Sequence, residues 1–386
     1  MASGRGRAVN PRPQLDGARI LVVVYGHIAD TIAAIPALRS LRADAPSARI
    51  EVLALDSVRP VLEPCPYIDA FVGWSDFSHK GARGSRLEKA ATLAALGLKL
   101  RRNRYDATLV LHRSSGAMRR LAALVGSPVR AGASNGDDGF THPAPPGPPV
   151  ESSREENRRV LQGLGLDDDG GQIEIWTRPE DAIAAADLLG NAPGPVIGIH
   201  PGSDWSCQEW LPDRFGEVAR GLQRELGATI VITGSKSEVG LQTEVAAALK
   251  GDPILIAGRT SFGQLVEIVR RLDLLVCVNS APAAIARALG TPCLVVVGLE
   301  DTRYTGLESS DLLRVIQPRV PKTAGGWCEF GRWGVLSSCR SPMCRGLGGL
   351  LELGPSPVLR EALLFLGQLP ARAAVSGPEL RPPAPR

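Results

Sequence analysis

R-I-L-V-V-V-Y-G-H-I-A-D-T-I-A-A-I-P-A-L-R-S-L, Arg19 to Leu41, is the stretch whose reading decides the fold. Ile20–Val24 is a short apolar run rich in β-branched residues, which reads as a buried strand. Tyr25, Gly26 and His27 make a turn. Asp30 follows just before Ile32, Ile35, Leu38 and Leu41, which lie near helical spacing. Asp30 thus stands where a first strand hands over to a first helix. In open α/β sheets that edge is where ligands bind.

The same alternation continues outward. Ala48–Leu55 reads as a second strand, closing a βαβ unit, and Tyr67–Gly73 as a third. Residues 86–101 read as a helix and Tyr105–His112 as a strand. A Pro-rich loop, His142–Pro149, and a polar helix, Ser152–Leu164, lead to the breaker D-D-D-G-G at 167–171. The pattern then restarts. Strands are expected at Pro195–His200, Ala228–Thr233, Ile254–Ala257, Leu274–Val278 and Leu294–Val297, with helices at Leu211–Leu226, Phe262–Arg271 and Ala283–Leu289 between them. Strands alternating with helices argue for parallel sheets covered on both faces. The expected organisation is a basic tail at 1–17 and two similar α/β domains, 18–170 and 171–350. A C-terminal helix at 351–367, able to cross back to the first domain, and a Pro-rich tail at 368–386 complete it. Such a pair is expected to face a central cleft.

Composition narrows the function. The 386 residues suffice for two domains, and 44% hydrophobic content suffices for a core in each. A net charge of +4 is small for this length and speaks against a nucleic-acid binder. Seven cysteines form no paired framework, which suits a reducing compartment. Cys277 and Cys293 fall in strand-like runs and are expected to be buried thiols. The basic N-terminal stretch has no apolar signal-peptide core, and no stretch reaches the roughly 18 apolar residues of a membrane span. A cytoplasmic protein is expected.

Four motifs resemble those of the bacterial heptosyltransferases, glycosyltransferase family nine of the GT-B fold. The first is Ala29-Asp30-Thr-Ile-Ala-Ala-Ile-Pro36-Ala37-Leu38. The second is His200-Pro201-Gly202-Ser203-Asp204-Trp205, continuing to Gln208-Glu209-Trp210-Leu-Pro212-Asp-Arg214-Phe215. The third is Ala257-Gly258-Arg259-Thr260-Ser261, and the fourth Asn279-Ser280-Ala281-Pro282-Ala283-Ala284. Each is weak alone; four in order, at family-like spacing, cover roughly Ala18 to Leu366. The resemblance implies an inverting, metal-independent transferase that moves a heptose or related sugar from a nucleoside-diphosphate donor, ADP-heptose foremost, to a hydroxyl acceptor. That acceptor would be a lipopolysaccharide core or a small natural-product molecule. No cofactor is implied.

On this resemblance Asp30 is the catalytic base. The reading of the residues alone keeps a second role open, since a carboxylate at a helix start also satisfies exposed backbone N–H groups. Donor binding is expected from Ser203, Gln208, Thr233, Glu238, Thr260, Ser261, Asn279, Ser280, Ala281 and Pro282. Phosphates favour helix N-termini, and Ser280 opens one. Acceptor contacts are expected from His27, Arg83, Arg86 and Arg113. The basic run from Lys80 to Arg104 would attract an anionic acceptor or an anionic membrane surface. Cys328, Cys339 and Cys344 are too widely spaced for an ordinary zinc site.

Departures from the family pattern keep other readings open. The family's Lys is Gln208 here, its Asp is Asn279, its Gly is Ala281 and its His is Ala284. Loss of the Lys removes a charge-assisted contact to the diphosphate; Lys236, Arg259 and Arg287 are candidate replacements. A degenerate, non-catalytic nucleotide-sugar binder is one alternative. A nucleotide-sugar epimerase sharing the two-domain fold is another.

Overall fold

Ile20 to Val24 lose nearly all contact with solvent, at 1% exposure or less. Burying each such side chain contributes about 1.5–3 kcal/mol. That run is the central strand of the first of two sheets in a computed structural model. It describes residues 11–74, 86–111, 116–133, 139–148, 150–203, 208–298, 302–318 and 349–369. The chain forms two compact units, Met1–Ile173 and Glu174–Arg386.

The first unit runs β1 (Arg19–Val24), α1 (Ile28–Asp44), β2 (Arg49–Leu55), α2 (Arg59–Leu62), β3 (Ala70–Trp74), α3 (Arg86–Arg101), β4 (Ala107–Leu111), α4 (Gly116–Val125), β5 (Val129–Gly132), β6 (His142–Pro143) and α5 (Ser153–Gly163). The second runs α6 (Pro179–Leu189), β7 (Val196–His200), α7 (Pro212–Leu226), β8 (Thr229–Ile232), α8 (Val239–Leu249), β9 (Ile254–Leu255), α9 (Phe262–Arg271), β10 (Leu274–Val278), α10 (Ala281–Leu289), β11 (Cys293–Val296), α11 (Thr302–Thr305), β12 (Leu313–Ile316) and α12 (Pro355–Gln368).

The strand orders are β3-β2-β1-β4-β5-β6 and β12-β11-β10-β7-β8-β9, every pair parallel. Each is therefore the doubly wound order in which the first strand of the unit lies between its second and its fourth. The order reverses beside β1 in one sheet and beside β7 in the other. Those are the switch points where ligands bind beyond the carboxyl ends of the strands. A buried carboxylate sits at the opposite edge: Glu51 accepts the Tyr105 hydroxyl at 2.6 Å and the guanidinium of the exposed Arg49 at 2.7 Å. Burial, and then that carboxylate, push the Tyr105 phenol up to about 12.

The structure differs from the sequence reading at several elements. The third strand is Ala70–Trp74, later than Tyr67–Gly73, because its register against β2 starts at Ala70. The Pro-rich loop contains β6, a two-residue strand that pairs with β5. Gly116–Val125, Pro179–Leu189 and Leu313–Ile316 form elements where the sequence reading assigns none. The C-terminal helix is Pro355–Gln368, and its buried residues Val358, Ala362 and Phe365 join the core of the second unit. Cys277 and Cys293 are buried thiols on neighbouring strands, their sulfurs 3.6 Å apart. Among the described residues no helix is long and apolar enough to cross a membrane.

Candidate functional site

The first unit presents Asp30 at its switch point. Helix α1 starts at Ile28, two residues earlier than Asp30, so the carboxylate belongs to the first helical turn, with His27 as the capping residue. The His27 backbone N–H donates to Asp30 Oδ2 at 3.1 Å. Gly26 is required by close approach: a Cβ there would lie 2.5 Å from Asp30 Cβ. From a distant part of the chain, the Ser153 hydroxyl donates to Asp30 Oδ1 at 3.0 Å. Asp30 is half-buried, between these donors and solvent. Donors on both oxygens and a helix N-terminus favour the ionised carboxylate. The capping role and a proton-accepting role are thus compatible. Tyr25, just after β1, and Trp74, the last residue of β3, add an aromatic pair with ring centroids 5.6 Å apart.

Of the expected acceptor residues, His27 is at this edge and Arg86 opens α3. Arg83 and Arg113 lie outside the described residues, as do Cys328, Cys339 and Cys344.

The second unit brings the expected donor residues to consecutive strand ends. Ser203 follows β7, Thr233 and Glu238 follow β8, Thr260 and Ser261 follow β9, and Asn279 and Ser280 follow β10. These four strands are adjacent in the sheet. Gly202 carries the tightest approach: a Cβ there would stand 2.0 Å from Glu238 Oε1. Glu238 Oε2 accepts the Ser235 N–H at 2.6 Å. Gly258 has φ +70°, and a Cβ there would meet the Lys236 backbone at 2.9 Å, so glycine is needed on both counts. Ala281 and Pro282 begin α10, with Ser280 at the cap; the Ser280 hydroxyl donates back to the Val278 carbonyl at 3.1 Å.

Two expected donor residues have other work. Ser261 caps α9, accepting the Gln264 N–H at 3.2 Å, and donates to Asp181 of α6 at 3.1 Å. Its hydroxyl proton is committed to joining two helices. Gln208, where the family has Lys, is buried and accepts the Ser203 hydroxyl at 3.0 Å. Among the candidate replacement cations, Lys236 and Arg287 are exposed, and Arg259 donates to the Leu255 carbonyl at 2.9 Å.

The sequence reading names His200, the last residue of β7, in the second motif but gives it no role of its own. His200 is buried, and its Nδ1 hydrogen-bonds Thr233 Oγ1 at 2.8 Å. Burial pushes the imidazole below its ordinary 6.5; the Glu238 charge and a hydrogen bond with the Gly202 backbone oppose this without overcoming it. A depressed value in the folded state means that the unfolded chain takes up the proton first as pH falls. Stability is therefore fully present above about 6.5 and is lost as pH drops below it. His200→Asn, which keeps a hydrogen-bonding amide beside Thr233, is expected to flatten that loss. Urea midpoints at pH 7.5 and 5.5 check it: equal slopes in both proteins would exclude His200 as the source.

A family model described as Glycosyltransferase family 9 (heptosyltransferase) matches residues 93–322. The chain belongs to glycosyltransferase family 9. It is a glycosyltransferase. Lipopolysaccharide heptosyltransferase 3 of Escherichia coli (strain K12) is 28% identical over 292 residues, covering 70% of this chain and 80% of that protein. The crystal structure of the glycosyl transferase family 9 from Veillonella parvula DSM 2008 has a TM-score of 0.76 at 20% identity. It covers 93% of this chain and 100% of that one. E. coli ADP-heptose lps heptosyltransferase II has a TM-score of 0.64 at 20% identity, covering 91% and 99%. At such identity the likeness speaks to the fold, two Rossmann-like units of GT-B type. The family-9 chain has the doubly wound order in both units and Asp30 at the first switch point.

Proposed function

We propose that this family-9 glycosyltransferase moves a heptose, with inversion and without a metal ion, from ADP-heptose to a hydroxyl of a lipopolysaccharide core. The observation that carries the reading is Asp30: a hydrogen-bonded carboxylate at the first switch point, in a chain whose relative over 70% of its length is a lipopolysaccharide heptosyltransferase. In this reaction the Asp30 carboxylate takes the acceptor hydroxyl proton. The acceptor oxygen bonds to the anomeric carbon, and the bond from that carbon to the diphosphate oxygen breaks. The electron pair leaves on ADP. A positioned base contributes about 10²–10⁴-fold. Glu238 beside Gly202, the Ser280 helix start and Thr260 are the groups proposed to hold the nucleotide; Ser261 is the weakest of the donor residues, given its tie to Asp181.

One observation favours a second reading, donor binding without turnover. Gln208 replaces a cation and is buried against Ser203. A hydrogen bond to a charged group is worth roughly 1.5–3 kcal/mol, so its loss weakens the grip on the diphosphate unless Lys236 or Arg287 supplies the charge.

Purified protein incubated with ADP-heptose and a panel of other nucleotide sugars, with heptose-deficient core lipid or small-molecule acceptors, tests both. Transfer from ADP-heptose to the core lipid is the expected result; calorimetric binding with no product from any donor would establish the second reading. Gly202→Ala must displace the Glu238 carboxylate, and is expected to weaken ADP binding about tenfold or more in the same calorimeter. Unchanged affinity would remove Glu238 from the donor site.

A further inference from the structure

We propose that Ser153 is a positioning residue for the Asp30 carboxylate. This rests on the reading of Asp30 as the base. The two carboxylate oxygens take donors of different origin: Oδ2 the N–H of its own helix cap, Oδ1 the hydroxyl of a residue on α5. Ser153 is the first residue of α5, but it does not cap that helix. Ser152 does, accepting the Glu155 N–H at 3.3 Å. The neighbouring serine leaves the Ser153 hydroxyl to Asp30.

The rest of α5 is fastened so that this hydroxyl stays in place. Asn157, buried, donates from Nδ2 to the Ala33 carbonyl of α1 at 3.3 Å. Val160 and Leu161 are fully buried. Arg154 donates to the Gly171 carbonyl at 2.8 Å, and Arg159 pairs with Glu151. A carboxylate gripped on one oxygen only swings about its terminal torsion, which is broad. Gripped on both, it presents its remaining lone pairs in fixed directions, as proton transfer within a reacting complex requires. The Ser153 donation also favours the ionised form, the one that accepts a proton.

Other charged groups around α1 are engaged elsewhere or are separable. On α5, Glu155 pairs with Arg158; Glu156 follows it on the same helix. Before and in α2, Asp56 pairs with Arg59; Glu63 follows α2. On α1, Arg39 pairs with Asp169, Arg42 with Asp69 and Asp44 with Arg12. On β1, Arg19 lies at the far end, near Glu51. His27 is the ionisable cap of the same helix, so the test uses a readout specific to the carboxyl.

The experiment compares wild type, Ser153→Ala, Ser153→Thr and Asp30→Asn. Carboxyl-carbon NMR on aspartate-labelled protein, with the Asp30 signal assigned by its absence in Asp30→Asn, follows titration without needing turnover. Ser153→Ala is expected to move the Asp30 midpoint to higher pH, to shift the acid limb of kcat/KM the same way, and to lower kcat about tenfold with KM for donor and acceptor unchanged. Ser153→Thr, which restores the hydroxyl, is expected to recover both. An Asp30 midpoint and a pH profile identical in wild type and Ser153→Ala would overturn the proposal, whatever happened to stability. Transfer surviving Asp30→Asn would instead overturn the base reading, and the positioning role with it.

Discussion

Asp30→Asn is expected to lower kcat/KM for sugar transfer by about 10²–10⁴-fold while the thermal midpoint moves little. The amide matches the carboxylate in size, and its carbonyl oxygen still accepts one of the two donors, the His27 N–H or the Ser153 hydroxyl. What it loses is the capacity to accept the acceptor's proton. Removing a cap altogether costs about 0.5–2 kcal/mol; Asp30 lies in the first turn behind the His27 cap, and an amide oxygen there still accepts, so the cost stays below that. A fall in activity with an intact melting curve therefore separates chemistry from structure. If transfer persisted within a few-fold of wild type, another group would have to take the proton. Comparing activity with product stereochemistry in the wild type completes the test, because a retained configuration is incompatible with one in-line displacement.

Trp210→Ala is expected to do the reverse: a large loss of stability from a residue in the second family motif. Trp210 is among the largest fully buried side chains. Its ring packs edge-on against Phe215, with centroids 4.8 Å apart and planes at 78°. Its indole N–H donates to the Leu353 carbonyl at 2.9 Å. Arg214 donates to the same carbonyl at 2.8 Å and to that of Leu350 at 3.0 Å. The pair thus holds the segment that leads into α12. Truncating a buried Trp costs about 3–5 kcal/mol, which for a unit of this size lowers the melting temperature by roughly 6–20 °C. Trp210→Phe keeps most of the buried area and loses one donor to a carbonyl that Arg214 still serves, so a much smaller fall is expected. Calorimetric scans of the two variants check this; equal small losses would show that the Leu350–Leu353 segment is not anchored there. The Trp and Arg of the motif hold the fold, while Gly202, at its other end, makes room for Glu238.

Much of the candidate site was legible because it lies where short-range pattern and topology coincide. Ser203, Thr233, Glu238, Thr260 and Ser280 each follow an apolar strand, and in a doubly wound sheet such positions share one edge. The functional choice among hydroxyls was not legible. Ser261 reads as a phosphate contact, but its proton goes to Asp181, eighty residues earlier. Ser152 and Ser153 read as equivalent; one caps α5 and the other reaches Asp30. The signal available beforehand was E-S-S-R-E-E, a capping pattern with one serine too many.

The amino-acid sequence alone determined the α/β class, the two-unit repeat and the place of Asp30 after β1. These follow from period, burial run and turn chemistry, properties of neighbouring residues that survive in any tertiary arrangement of the units. Tertiary structure alone decided which side chains meet across the fold: Ser153 with Asp30, His200 with Thr233, Trp210 with Leu353. A hydroxyl or an indole N–H finds its acceptor only when packing brings a distant carbonyl or carboxylate within about 3 Å, and no local periodicity encodes that partner.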